Sequence, residues 1–198
     1  MLVHLILEGY LEEYVANKLL KYCGHSKGKV FGKQGYAFVR DNAMKYHSLT
    51  QHGCGVLVLT DFRDADKPCA PAALEAYLLR YFALPSPRFL CRFAVSELES
   101  WLIADRTSMA NFLKIPLKKI PLDPDGEEYP KRTLIELATC SKSLAIREAL
   151  VPSKKHDGPV APLYLSTMAD FIGRCWDIPA AMEYSSSLKR CVKRLRQL

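Results

Sequence analysis

The chain has 198 residues, 49% of them hydrophobic and 25% charged, with a net charge of +7 and a pI near 9.0. These proportions are ordinary for a globular domain, and the positive charge favours an acidic partner such as nucleic acid. No apolar run reaches the roughly 18 residues that a bilayer span needs, which argues against a membrane partner. The seven cysteines include no C-x-x-C pair, which argues against a disulfide framework or a zinc site. With no leader pattern at the N-terminus, we expect a cytoplasmic protein with reduced thiols.

The first half of the chain alternates patterns typical of strands with patterns typical of helices. Short apolar runs suit buried parallel strands, and apolar residues near 3.6 spacing suit helices packed on them. This order predicts an α/β fold with a mainly parallel sheet of about four strands, flanked by helices and joined by right-handed crossovers. In chain order we predict strands over 2–7, 29–31, 55–60 and 88–95, which alternate with helices over 10–22, 37–50, 71–83 and 97–104.

The second half changes character, because four prolines interrupt residues 114–130. Its remaining patterns predict helices over about 131–138, 142–150, 162–175 and 185–197, with no strand. We expect residues 1–105 to form the α/β core. Residues 106–198 are too short and too closely joined for a separate domain, so we expect a helical extension packed on that core as one compact unit.

Acidic residues gather where three of the predicted strands end. The carboxyl ends of parallel strands meet at one edge of a sheet, where ligands bind. Carboxylates gathered there repel one another unless a cation lies among them, and Mg²⁺ or Mn²⁺ prefers such oxygen ligands. An ion of this kind activates water or stabilises a leaving oxygen, which predicts a metal-dependent phosphodiester enzyme. The three clusters are Glu8 with Glu12 and Glu13, Asp61 with Asp64 and Asp66, and Glu97 with Glu99.

A purely structural explanation exists for most of these acids. Acidic side chains in the first turn of a helix complement its dipole, which accounts for Glu12, Glu13, Glu97 and Glu99. Asp64 and Asp66 suit a turn. For any one residue alone the structural explanation is preferred. For Glu8 and Asp61 together, at two strand ends, the functional explanation is preferred.

The Glu8-Gly9 pair after the first strand, with aspartates after a later strand, resembles the Toprim domain of topoisomerases, DnaG-type primases and old-family (overcoming lysogenization defect) nucleases. A closer likeness is to an uncharacterised bacterial Toprim-like family, and it spans nearly the whole chain. It rests on the stretch V-S-E-L-E-S-W-L-I-A-D at 95–105, P-K-R-T-L at 130–134 and the serines at 185–187. The resemblance implies Mg²⁺, nuclease activity and an ATPase partner in phage defence.

The chain departs from the Toprim pattern at the second aspartate. Toprim domains have D-x-D after the strand, whereas Asp61 is followed by Phe62, Arg63 and Asp64. Either Asp64 substitutes through a different turn, or Asp64 and Asp66 are the working pair. The resemblance implies catalytic roles for Glu8, Asp61 and Asp64, with Glu12, Ser96 and Glu97 or Glu99 at a second metal. The departure leaves open a second hypothesis, a non-catalytic module that binds nucleic acid or a protein.

Two basic segments are further candidates for phosphate contacts. The final helix has an apolar stripe and a basic helix face, which either contacts nucleic acid or is simply solvated. A glycine-rich loop with three lysines at 27–33 lacks Walker A spacing, so it is either a phosphate contact or a surface loop. The basic helix face consists of Lys189, Arg190, Lys193, Arg194 and Arg196.

Overall fold

The computed structural model of the protein describes residues 1–62, 69–79, 86–153 and 158–198. Four parallel strands form one sheet in the order β2-β1-β3-β4, and helices flank it. This arrangement confirms the predicted α/β fold with a parallel sheet of four strands. The strands are β1 (Leu2–Leu7), β2 (Ser26–Gly32), β3 (Gly55–Asp61) and β4 (Phe89–Ala94).

The two central strands are apolar because helices cover both faces of the sheet. Every residue of β3 is buried, as is β1 after its first residue. On one face, Ile6 and Val58 pack in a cluster with Val39 and Ala73 of the helices α2 (Gly35–Asn42) and α3 (Ala70–Leu79). A strand buried on both faces reads as a continuous apolar run, which is why these strands are visible in the sequence.

The first crossover helix, α1 (Tyr10–Tyr22), has the predicted bounds. The prediction of one continuous helix over 37–50 is wrong, because the α-helix α2 ends at Asn42 and a 3₁₀ helix, Ala43–His52, follows it. The Asn42 side-chain amide donates to the Phe38 carbonyl at 3.0 Å, which is the local bonding by which asparagine competes with a regular helix. The third predicted helix begins within one residue of α3, and its last residues, 80–83, lie outside the described residues.

The chain divides into two compact units. One comprises Met1–Val95 and Lys189–Leu198, and the other comprises Ser96–Leu188. The predicted packing of residues 106–198 on 1–105 as one unit stays a prediction. Within the described ranges, no helix is long and apolar enough to cross a bilayer.

The second half is helical, as predicted. Its described residues contain no strand. The sequence analysis missed two helices, which begin directly after Asp105 and Asp177. The Asp105 side chain caps the first by accepting from the Ser108 backbone N–H, and the Asp177 side chain caps the second by accepting from that of Ala180. The helices are α4 (Glu99–Ala104), α5 (Arg106–Leu113), α6 (Pro130–Thr139), α7 (Leu144–Leu150), α8 (Tyr164–Arg174), α9 (Ile178–Tyr184) and α10 (Ser186–Leu195).

Candidate functional site

Glu8 and Asp61 lie side by side at the carboxyl edge of the sheet. Strands β1 and β3 are parallel neighbours with Leu7 opposite Leu59, so both chains leave the sheet at the same level. The Asp61 backbone N–H donates to Glu8 Oε1 at 2.8 Å, and the Thr60 hydroxyl donates to the same oxygen. These two donors fix the Glu8 carboxylate over the end of β3. The structure therefore brings together the two acids that strand order predicts to meet.

The surroundings of this pair withdraw it from bulk water. The Asp61 side chain is 9% exposed and Glu8 is half-buried. Acidic groups at such depth require hydrogen-bond donors, positive charge or a proton, because burial removes the hydration that stabilises their ionised form. The Thr60 hydroxyl and the Asp61 N–H supply two of those donors. The arrangement suits hard cations, which bind carboxylate oxygens together with waters.

Glu12 folds back over the start of α1 beside this pair. Gly9 caps the helix in an extended conformation, and a Cβ atom built there would lie 2.9 Å from Glu12 Oε2. The glycine thus lets the Glu12 carboxylate approach the backbone that follows Glu8. Glu12 is buried to 9% exposure, and its place in the first turn also suits the helix dipole.

The loop after β2 closes around the end of β1. The backbone N–H of Lys33 donates to the Leu7 carbonyl at 2.8 Å, and that of Gly35 donates to the Glu8 carbonyl at 2.9 Å. Gly32 makes this closure possible, because a Cβ atom there would lie 2.2 Å from the Leu7 carbonyl oxygen. The backbone that carries Glu8 is therefore held on both sides, by β3 and by this loop.

The predicted ligands Asp64 and Asp66 lie outside the described residues. Among the residues that the structure does describe, no group of three or more His, Cys, Asp or Glu side chains is arranged to hold a metal ion. Mg²⁺ typically takes only one or two protein carboxylates and fills its other positions with water and phosphate oxygens. Glu8 and Asp61 therefore fit such an ion as oxygen donors.

Glu97 and Glu99 lie within the second unit and contact one lysine. Glu97 Oε2 accepts from the Lys131 backbone N–H at 2.9 Å. Glu99 Oε1 accepts from the Tyr164 hydroxyl at 2.9 Å and lies 3.6 Å from Lys131 Nζ. Burial raises the pKa of Glu99, and the charge of Lys131 opposes that rise. Their predicted roles as ligands of a second metal stay predictions.

Sequence reasoning gave Lys131 no role, yet its side chain and its backbone each contact an acid. The contacts join residues far apart in the chain, so spacing does not reveal them. One signal does exist: Pro130 occupies the first turn of α6, where backbone N–H groups have no partner within the helix. Such an N–H takes an acceptor from outside the helix, a side chain or water, and here Glu97 accepts from Lys131.

The five residues of the basic helix face are exposed, and the apolar stripe of α10 is buried. Leu188, Val192 and Leu195 are at most 2% exposed. Within the first unit, the Arg196 guanidinium lies 5.0 Å from the centre of the Tyr22 ring, and Arg194 donates to the Gln197 side chain at 2.7 Å. The amphipathic pattern is therefore as predicted, while contact with nucleic acid stays a prediction.

Fold and site together define an α/β protein with an acidic edge on a parallel sheet. No family model matches the chain, and no curated protein matches it. Among solved structures, the chain is similar to the C-terminal region of the Burkholderia pseudomallei OLD protein, with 14% identity over 96% of this chain and 98% of that one. The TM-score is 0.41.

Proposed function

We propose that the protein is a Toprim-like, divalent-metal-dependent nuclease that hydrolyses phosphodiester bonds in nucleic acid. The observation that carries the proposal is the Glu8 carboxylate, held by the Asp61 backbone N–H at 2.8 Å where two parallel strands end. Ligands of α/β proteins bind at this edge. Two acids held at one sheet edge and partly removed from water repel each other. A hard cation between them would offset that repulsion.

Each residue in the proposal has a distinct part. Asp61 would hold Mg²⁺ or Mn²⁺ together with Asp64 or Asp66, which the sequence places just after it. Glu8, oriented by its two donors, would be a ligand or would move a proton as general acid or base. Glu12 would add negative charge to the same edge. The bound ion would supply polarisation of the phosphate and a more acidic water.

Charge elsewhere supports a polyanionic substrate. The net charge of +7 and the five exposed cations of the basic helix face favour association with phosphate backbones. The sequence resemblance to the bacterial Toprim-like family adds an ATPase partner and a role in phage defence to the proposal. The cysteine pattern adds a cytoplasmic site of action.

One observation favours a second function, a non-catalytic binding module. In the described part of the chain, no three acidic, histidine or cysteine side chains form a metal-binding group. Glu8 Oε1 already accepts two hydrogen bonds from the protein. If Asp64 and Asp66 do not complete the site, the same fold would recognise nucleic acid or a protein without cleaving it.

Turnover of nucleic acid separates the two functions. Purified protein with Mg²⁺ or Mn²⁺ should cleave DNA or RNA. Asp61→Asn should reduce the rate at least about 100-fold, because it removes one negative charge from the ligands of the ion. The Asp61 backbone N–H remains in this variant, so Glu8 keeps its donor. Asp170→Asn is a matched control, because Asp170 is an exposed acid in the other unit, paired with Arg174 at 3.6 Å.

Two results would decide against the nuclease. Equal turnover by the wild type and Asp61→Asn would exclude Asp61 as an essential ligand. No turnover of any nucleic acid, with no Mn²⁺ binding by calorimetry, would leave the binding module as the function.

A further inference from the structure

Helix α1 presents two tyrosines to solvent on successive turns. Tyr10 is 57% exposed and Tyr14 is 46% exposed, although tyrosine rings bury favourably. They line an open groove of about 150 Å³ that is completed by Glu13, Asn17 and Lys27. The rise of an α-helix separates their Cα atoms by about 6 Å along its axis. Two aromatic rings are thus presented on one side of the helix.

Two lysines are held at the rim of the groove. Lys27 Nζ lies 2.8 Å from Glu13 Oε1, and Lys33 Nζ lies 2.5 Å from Glu13 Oε2. Lys33 Nζ also lies 4.6 Å from the centre of the Tyr10 ring. Hydrogen bonds from the two lysines lower the pKa of Glu13, so this acid stays ionised and keeps both ammonium groups in place. Two cations around one anion leave a net positive rim.

We propose that this tyrosine–lysine groove, formed by Tyr10, Tyr14, Asn17, Lys27 and Lys33, binds single-stranded nucleic acid. Bases would stack on the two tyrosine rings, and the lysines would contact phosphates. Base faces are available for such stacking only when they are unpaired, because a duplex hides them between neighbouring base pairs. The inference deepens the proposed function and rests on it for the reaction, since it selects single strands as the substrate class.

The position of the groove in the chain agrees with this role. Tyr10 begins α1 only two residues after Glu8, so a strand stacked on Tyr10 would lie next to the acidic edge. Lys33 belongs to the loop that closes around the end of β1, through its bond to the Leu7 carbonyl. One short stretch of backbone thus carries both the acidic pair and the groove.

Binding can be measured without catalysis. Fluorescence anisotropy in EDTA would use the full chain with a labelled 20-residue oligo(dT) and a labelled duplex of equal length. The wild type should bind the single strand more tightly than the duplex. Tyr10→Ala and Tyr14→Ala should each weaken single-strand binding about fivefold or more, because stacking on one aromatic ring contributes that much. Tyr10→Phe and Tyr14→Phe, which keep the ring, should stay within about twofold of the wild type.

The lysines are tested with neutral variants that suit the local backbone, and the control variant carries the same change of charge. Lys33 has φ 64, a left-handed conformation that asparagine tolerates, so Lys33→Asn removes the cation without adding strain. Lys33→Asn and Lys27→Gln should weaken binding and reduce its salt dependence. Tyr184→Ala, an exposed tyrosine of the other unit, and Lys118→Gln, an exposed lysine there, should leave binding unchanged.

Any of three results would overturn the inference. These are duplex binding as tight as single-strand binding, unchanged affinity in both alanine variants, and no oligonucleotide binding by the wild type. If sedimentation shows a dimer that Tyr10→Ala and Tyr14→Ala dissociate, the groove joins two copies of the chain instead. Thermal unfolding of every variant should match the wild type, since these side chains are half-exposed.

A substrate without bases distinguishes failure of the groove from failure of the proposed function. Bis(p-nitrophenyl) phosphate with Mn²⁺ reports phosphodiester hydrolysis alone. If it turns over while single strands do not bind, the groove inference fails and the nuclease stands. If single strands bind through the tyrosines while nothing turns over, the nuclease fails and the groove stands. The control variants Tyr184→Ala and Lys118→Gln should hydrolyse this small substrate at the wild-type rate.

Discussion

Replacing Gly32 with alanine should destabilise the protein far more than the same replacement at Gly24. Both glycines have positive φ, 94° at Gly32 and 79° at Gly24, so alanine is strained at either position. Only at Gly32 does the new Cβ atom meet the protein, 2.2 Å from the Leu7 carbonyl oxygen, whereas nothing lies within 4 Å at Gly24. The pair therefore separates backbone strain from steric collision.

The magnitudes follow from these two effects. A left-handed conformation costs a residue with a Cβ atom about 1 to 2 kcal/mol, so Gly24→Ala should lower the free energy of unfolding by about 1 kcal/mol. At Gly32 the backbone must also move by about an ångström, because ordinary contact begins at 3.4 Å. That shift breaks the close pairing of β1 with β2, and we expect a loss of about 3 kcal/mol or more.

Thermal unfolding followed by circular dichroism measures the difference. In a chain of this size 1 kcal/mol shifts the Tm by about 2 to 4 °C, so we expect about 3 °C for Gly24→Ala and about 10 °C for Gly32→Ala. Gly53→Ala, with φ 75 and no neighbour within 4 Å, is a second control that should behave like Gly24→Ala. Equal shifts at Gly24 and Gly32 would refute the close approach of the loop to β1.

Three further predictions concern charge and hydrogen bonding. Burial raises the pKa of Glu99, so the folded protein holds this proton more tightly than the unfolded chain, and stability falls as pH rises above the ordinary value of 4.5. Urea unfolding at pH 4 and pH 8 should show a smaller fall for Glu99→Gln, and an equal fall would contradict the assignment. Asp125 accepts from the Ser185 hydroxyl at 2.7 Å and from the Ser187 N–H at 2.9 Å. Asp125→Ala should therefore lower stability by about 2 kcal/mol, against less than about 0.5 kcal/mol for Asp170→Ala. Changing all five cations of the basic helix face to Gln should weaken nucleic-acid binding and flatten its salt dependence with little loss of stability; an unchanged salt slope would leave that face a structural role only.

The sheet was predictable because its central strands are apolar throughout. A run such as Val56 to Thr60, bounded by glycine and aspartate, has few alternatives to a buried strand. The order of strands and helices then places Glu8 and Asp61 at one edge, and the structure has them there. Their roles as metal ligands stay predictions.

The contacts around the acids were not predictable, because side-chain direction depends on packing between distant elements. The Thr60 hydroxyl at the end of β3 donates to Glu8 at the end of the neighbouring strand β1. The Glu13 carboxylate instead pairs with two lysines, one in β2 and one in the loop after it. The sequence grouped Glu13 with Glu8 and Glu12, because the order of residues alone does not show which way each side chain of a helix points. Successive positions lie about 100° apart around a helix, which sends them to different surroundings.

The helices missed in the second half have a related cause. α5 is separated from α4 by Asp105 alone, so the two look like one helix followed by a loop. The start of α9 did carry a signal, an aspartate cap followed by a proline in the first turn. With only seven residues, the helix adds no sustained apolar period to that signal.

The central claim is that Glu8 and Asp61 share one divalent cation. A crystal of the protein soaked in Mn²⁺ and measured at the manganese absorption edge tests this claim directly. The account predicts an anomalous peak between the Glu8 and Asp61 carboxylates, with oxygen ligands at about 2.0 to 2.3 Å, and no peak there in Asp61→Asn. A well-ordered acidic edge without manganese, or a peak that persists unchanged in Asp61→Asn, would contradict it.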